Sequence, residues 1–308
     1  MNKSNRFTDG GKALVSKVHC EGELKQDIHR AVAAIGGFEK LVEPGDQILV
    51  KPNFNTSDPP PASSDPRFVK AVIELLYEHG AASVVLGESS MFRLSTRETM
   101  RQAGMLEAAE EAGAQVVAFD EGDWVSVRTG GRFLKNVALA RAAVEAAKIV
   151  YLPCLKTHRF ADFTVSLKLA MGFVRGRDRV GMHLWRLREK LVDLNLAVAP
   201  DLIIVDGRRA FISGGPMEGE MREPNLVLAS GDRIAVDVEA LKVIQSYTGH
   251  SLKTDPWQLP MIRRAVELNL GATNEGAYRV VPDPQSTVPD PGRVVAAAAL
   301  EGNARTGS

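Results

Sequence analysis

The chain has 308 residues, 44% of them hydrophobic, with 38 Lys plus Arg balanced by 38 Asp plus Glu. That length suits about two ordinary domains or one large one. A formal charge of zero supplies no global field toward nucleic acid or membrane surfaces, so neither is expected as a partner. Two cysteines, Cys20 and Cys154, form no C-x-x-C pair, which argues against a disulfide framework, a zinc module or an iron–sulfur cluster. No apolar run follows the N-terminal Met-Asn-Lys-Ser-Asn-Arg, and no uninterrupted stretch reaches the ~18 apolar residues of a membrane span. A cytoplasmic location is the expectation.

Residues 1–46 read as an N-terminal strand/helix region. Residues 47–50 form a short apolar run after Pro44-Gly45-Asp46, a buried strand after a turn, and Lys51-Pro52-Asn53 leaves its end. A Pro-, Ser- and Asp-rich loop covers 56–64. Asp65 is a good N-cap with Pro66 in the first helical position. Phe68, Val69, Val72, Ile73, Leu75 and Leu76 then make one apolar face, and Gly80 closes the helix. A strand over 83–86 ends in Gly87-Glu88-Ser89-Ser90. This β-α-β unit implies parallel strands.

The pattern continues with a helix over 96–112 and a strand over 115–119. A hairpin joins 124–128 to 133–137 through Thr129-Gly130-Gly131-Arg132. An Ala-rich helix over 139–147 precedes a strand over 148–152, which residues 153–158 leave as a loop. A helix over 184–196, strands over 202–205 and 226–228 and a helix over 234–248 complete the 47–250 core. Residues 251–308 form a C-terminal extension with a flexible tail, frayed over 302–308. The fold class is α/β, a mostly parallel sheet built from β-α-β units with a hairpin, as one large domain or two closely packed lobes.

Polar residues gather where strands end, the edge at which open α/β sheets bind ligands. Lys51, Asn53, Glu88, Ser89 and Asp206 are candidates for substrate binding. Lys156-Thr157-His158-Arg159 places three potential cations in four residues, an arrangement that lowers a Lys or His pKa or recruits an anion. Lys168 stands among apolar neighbours in Val-Ser-Leu-Lys-Leu-Ala-Met-Gly and needs water or a partner. An exposed basic turn is the plain alternative for the first segment, and snorkelling for Lys168. Arg175, Arg177 and Arg179 mark 172–183 as a mobile basic loop, able to close over an anion or simply solvated. His183 is a lone histidine before a helix. The glycine-rich loop carrying Gly214 and Gly215 either cradles an anion with its amides or is a tight turn. Asp206, Asp232 and Asp237 form an acidic set near it or cap turns and helices. Cys154 lies in an apolar run and reads as a small core residue.

In order along the chain, Val50-Lys-Pro-Asn53, Gly87-Glu-Ser-Ser90, Leu152-Pro-Cys-Leu-Lys-Thr-His158, Lys168 with Met171-Gly172, His183, Asp206-Gly207 with Gly214-Gly-Pro216, and Gly231-Asp-Arg-Ile-Ala-Val-Asp237 resemble the family called domain of unknown function 362. Some members resemble iron–sulfur proteins through a ferredoxin-type cysteine module, which this chain lacks. The family usually carries Asn directly after the Lys of the Lys168 segment, where this chain has Leu169. A more distant similarity is to lactate-racemase-type enzymes, whose site segment has a catalytic His, a Lys ten residues on and a nickel-binding His later. His158, Lys168 and His183 reproduce that order. The similarity implies acid–base work by His158, a nickel pincer cofactor tethered at Lys168 and a metal contact at His183.

These readings converge on an enzyme acting on a small anionic, carboxylate-bearing molecule, with His158, Lys168 and Lys156 catalytic and a racemase- or epimerase-like reaction in view. Homo-oligomerisation is open. Two rivals stand beside it: a non-catalytic binding or assembly protein gripping an acidic partner through Arg175 to Arg179, and a redox accessory protein without cluster cysteines.

Overall fold

The computed structural model describes residues 3–283. In chain order the elements are β1 (Thr8–Asp9), β2 (Lys12–His19), α1 (Leu24–Ala34), β3 (Gln47–Pro52), α2 (Pro66–Glu78), β4 (Ser83–Glu88), α3 (Thr96–Gln102), α4 (Met105–Glu111), β5 (Gln115–Ala118), β6 (Trp124–Arg128), β7 (Asn136–Ala140), α5 (Arg141–Glu145), β8 (Lys148–Leu152), β9 (Cys154–His158) and β10 (Asp162–Thr164). They continue as α6 (Ser166–Leu169), α7 (Gly176–Leu184), α8 (Leu187–Leu194), β11 (Leu202–Gly214), β12 (Gly219–Arg222), β13 (Leu226–Ser230), α9 (Arg233–Gln245), α10 (Pro260–Glu267) and β14 (Tyr278–Pro282). The main sheet runs β1-β2-β13-β11-β8-β3-β4-β5. Strands β11, β8, β3, β4 and β5 are mutually parallel, β13 pairs antiparallel with β11, and β2, antiparallel to β13, runs in the direction of the block again.

The α/β class is as expected, and its layers follow from strand alternation. Ile48 and Val50, Val150 and Leu152, and Leu202 and Ile204 face one side, packed by α1, α2 and α4 through Ile28, Val32, Val72, Leu76 and Leu106. Leu49, Ile149, Tyr151, Ile203 and Val205 face the other, packed by α6, α8, α9 and α10 through Leu167, Leu191, Ile234 and Met261. The chain moves from β3 to β4 to β5 with helices on the first side, then jumps back beyond β3 to β8 and moves on to β11 with helices on the second. Right-handed crossovers require that change of side when the direction reverses. The reversal lies between β3 and β8, and a crevice at the C-terminal ends of strands flanking such a point is where open α/β sheets bind ligands.

Several elements differ from expectation. Gly104, with φ +71, breaks the helix over 96–112 into α3 and α4. The hairpin's second strand is shifted to Asn136–Ala140, which shortens the Ala-rich helix to five residues. Residues 154–158, expected as a loop, form β9, paired in parallel with β11 and antiparallel with β10. Strand β11 does not stop at Asp206 but runs 13 residues. Residues 172–183 are not a mobile loop: a 3-10 turn and α7 occupy them. The end expected to fray, 302–308, lies outside the described residues. Among the described residues no helix is long and apolar enough to cross a membrane.

Candidate active site

At the C-terminal end of β3, Lys51 is fully buried. Its ammonium pairs with Glu88 from the end of β4 and donates to the Pro52 carbonyl at 2.7 Å. The same carboxylate accepts the amides of Phe54 and Ser89. Phe173 lies under the Lys51 ammonium, 5.5 Å from Nζ to ring centroid. Gly172 makes this possible: a Cβ there would stand 2.5 Å from Lys51 Nζ and 2.8 Å from a Glu88 oxygen. Burial pushes the Lys51 pKa down despite the attraction of Glu88.

Lys156 and His158 project from the same side of β9, two residues apart. Lys156 is 2% exposed, and its ammonium donates to the Ala62 carbonyl in the loop over 53–65. Burial brings its pKa down to about 8. His158 is 6% exposed, and its Nδ1 accepts the amides of Phe160 at 3.1 Å and Ala161 at 3.3 Å. Two donors on Nδ1 leave the ring proton on Nε2, so the neutral imidazole presents a donor. Burial, followed by the charges of Lys168 and Lys156, holds its pKa down to about 2.

Lys168, on the short helix α6, is the partly exposed member of the group. It makes no hydrogen bond or ion pair among the described residues. Burial and then the charges of Lys156, Arg179 and Lys51 lower its pKa to about 7. Arg179, a member of this group not foreseen from sequence, is buried against it from α7. Its Nε donates to Val174 O at 2.8 Å, Nη1 to Ser89 O and Ser90 O at 2.8 and 3.0 Å, and Nη2 to Gly172 O at 3.1 Å. That use of the guanidinium, with Arg175 bound to Asp178, corrects the expectation of a basic loop free to grip a ligand. Arg177 alone of the three extends outward, its side chain 71% exposed.

The result is four cationic side chains around one inner carboxylate, Glu88. Asp58 and Asp120 reach the group only as longer-range charges on Lys156 and Arg179. Asn53 Oδ1 and Ser90 Oγ at the same edge are buried without a hydrogen-bond partner among the described residues. Uncompensated positive charge calls for an anionic ligand, and the orphaned Asn53 Oδ1 and Ser90 Oγ for one that also carries a hydrogen-bond donor.

The other sequence candidates lie elsewhere or serve structure. Asp206 is bound by Arg208 at 2.7 and 2.9 Å, beside a cavity of about 420 Å³ that Asp65 and Cys154 also line. Gly214 and Gly215 turn β11 into β12, and the Gly215 amide is used there, donating to Glu218 O at 2.6 Å. A Cβ on Gly215 would meet the Thr157 carbonyl oxygen at 1.9 Å, so this glycine lets the turn lie on β9. Asp232 and Asp237 do not join Asp206. The first caps α9 through the amides of Ile234 and Ala235, and the second caps α6. Burial pushes the Cys154 thiol up to about 11, as suits a core residue. His183 Nδ1 lies 2.8 Å from Arg179 O and donates to it, which leaves Nε2 as an open acceptor.

The model of the family described as domain of unknown function (DUF362) matches residues 48–242. The chain belongs to that family. Its matched span contains Lys51, Glu88, Lys156, His158, Lys168 and Arg179. The DUF362 chain is 30% identical over 268 residues to the thylakoid-associated protein sll1697 of Synechocystis sp., covering 84% of this chain and 79% of that protein. Among solved structures it is similar to the lactate racemase apoprotein from Thermoanaerobacterium thermosaccharolyticum, with a TM-score of 0.44 and 12% identity, over 80% of this chain and 58% of that one. A Thermotoga maritima protein gives a TM-score of 0.36 at 12% identity, over 74% and 59%. Each of these two solved chains is spanned over less than two thirds of its length, and likeness at this level carries no argument about chemistry.

Proposed function

We propose that the protein is an enzyme that takes up a small carboxylate-bearing anion beside Lys156 and Lys168 and moves a proton at the carbon next to that carboxylate. The observation that carries the reading is Lys168, a partnerless amine among three buried cations, each of which is already engaged. An anion offsets the burial that lowers the Lys156 and Lys168 pKa values and, at Lys168, the repulsion of the neighbouring cations that adds to it. Lys156, held by Ala62, fixes the carboxylate. Lys168, with a pKa near 7, takes or returns the proton. His158 donates from Nε2 to the oxygen on which charge develops, and its neutrality keeps it a donor rather than a competing cation.

A second reading follows from the order His158, Lys168, His183. A nickel pincer group would be held by the Lys168 amine and met by His183 Nε2, whose ring is oriented through Nδ1 on a backbone carbonyl as metal-bound histidines are. Such a group would supply an electron sink at the carbon bearing the carboxylate. His158 would still donate to the substrate oxygen, and Lys156 would still hold its carboxylate. The non-catalytic alternative is weakened by the burial of Arg179.

The test is deuterium exchange at the α-carbon of a panel of 2-hydroxy and 2-amino acids, followed by NMR, together with oxalate-dependent thermal stabilisation. Lys168→Ala should fold normally, abolish exchange and reduce oxalate stabilisation at least tenfold in apparent affinity. Full exchange in that variant, or no anion-dependent stabilisation of the wild type, would sink the proposal.

A further inference from the structure

We infer that Lys168 is a nucleophile that forms an imine with a small oxo acid. This rests on the proposed anion site and names its substrate class as a carboxylate carrying a nearby ketone or aldehyde.

The four buried cations differ in what their nitrogens do. Lys51 is committed to Glu88 and Pro52 O. Lys156 is committed to Ala62 O. Arg179 spends its guanidinium on four backbone carbonyls. Lys168 is committed to nothing among the described residues, and it is the one partly open to solvent. A lysine placed only to attract an anion needs its proton, and a structural lysine needs an acceptor. Lys168 has no acceptor among the described residues, and Glu88, the carboxylate whose charge reaches it, is already paired with Lys51. Burial, and then the three fixed cations beside it, favour the free amine, the condition under which lysine attacks carbonyl carbon.

The surroundings complete the requirement. Lys156 offers its charge to the carboxylate of an oxo acid. His158 presents Nε2–H, a donor suited to a carbonyl oxygen, because two backbone amides occupy Nδ1. The amine nitrogen of Lys168 attacks the carbonyl carbon, and the carbonyl π pair goes to oxygen. The two amine hydrogens leave with that oxygen as water, and a C=N bond remains. No oxidant or reductant enters. The imine then withdraws electrons from the adjacent carbon, which eases loss of a proton or of carbon dioxide there.

The α6 geometry protects this arrangement from being accidental. Lys168 sits on a four-residue helix whose first amides are held by the buried carboxylate of Asp237, so the amine is presented from a braced turn.

The full chain, incubated with pyruvate and sodium borohydride, should gain the mass of one reduced pyruvyl group, located by peptide mapping on Lys168. Labelling should rise as pH passes through about 7, and Lys168→Arg should abolish it. Lys156→Met, which leaves the amine in place, should reduce it severalfold through weaker carboxylate binding. Labelling that is absent, or that spreads over exposed lysines to the same extent, overturns the inference. Oxalate stabilisation that persists while no adduct forms would discard the imine and leave the anion site standing. Loss of both would discard the two together. A pre-existing adduct on Lys168 in freshly purified protein, which would block the amine, also overturns it in favour of a tethered cofactor.

Discussion

Asp237, on α9, accepts the backbone amides of Ser166 and Leu167 at 2.8 and 3.0 Å, the two residues directly before Lys168. The carboxylate is fully buried, and burial raises its pKa to about 7. A residue outside the cationic group therefore sets where the central amine stands.

Asp237→Ala should leave two buried amides without acceptors, at about 1–3 kcal/mol each. Urea unfolding should report that loss, and pyruvate labelling at Lys168 should fall in the folded fraction. The pH dependence has a definite sign. A carboxyl whose folded pKa is raised binds its proton more tightly when folded, so its stabilisation is complete below the ordinary carboxylate range and declines as pH rises through about 7. Asp237→Asn should remove that decline.

Glu88→Gln should destabilise the fold by about 3–5 kcal/mol, the usual cost of stranding one member of a buried ion pair. Lys51 would lose its counter-charge, and Phe54 and Ser89 would lose a charged acceptor. Adding Lys51→Met to Glu88→Gln should recover part of the loss. Equal stability of the single variant and wild type in urea titration would contradict this account of the pair.

Lys156 and Lys168 act in the opposite pH window from Asp237. Their folded pKa values, about 8 and about 7, lie below the ordinary lysine value of about 10.4. Between those limits the unfolded chain holds more protons, so stability should rise with pH from about 8 toward 10. Thermal midpoints in low-salt buffer should show this rise. Lys168→Met should flatten it, and saturating oxalate should reduce it by re-protonating both amines.

The parts of the fold written in local signals were readable from the sequence. Asp65-Pro66 and the apolar face of α2 located the first β-α-β unit, and Asp65 does cap that helix through the Arg67 amide. The strand identity of β9 is hidden, because Pro153, Lys156 and His158 disguise a segment that pairs with the three-residue β10 on one side and with β11, some fifty residues away, on the other. Lys51, Glu88, Lys156 and His158 are legible as individual polar residues at strand ends and Lys168 as a cation among apolar neighbours, and the topology brings them together. The sequence leaves Arg179 between an anion grip and a solvated loop, because nothing local announces that four carbonyls await it. The sequence offers Asp237 as part of the family segment 231–237 and as a member of an acidic set or a cap, but a side chain capping a helix some seventy residues earlier leaves no nearby pattern that says which helix.

Strand β11 pairs first with β8 and then with β9, meeting Cys154 at Asp206 and, beyond the irregularity between Asp206 and Ala210, Leu155 and Lys156. One continuous ribbon thus spans the core and the edge that carries Lys156 and His158. Lengthening or shortening residues 207–209 by one would slide the later half of β11 against β9. With side chains alternating, Ala210 and Ile212 would exchange faces with Phe211 and Ser213, and the surface on which β9 lies would change. The irregular stretch works as a phase-setter, a reason for its length to resist insertion even though none of its residues touches the amine it serves.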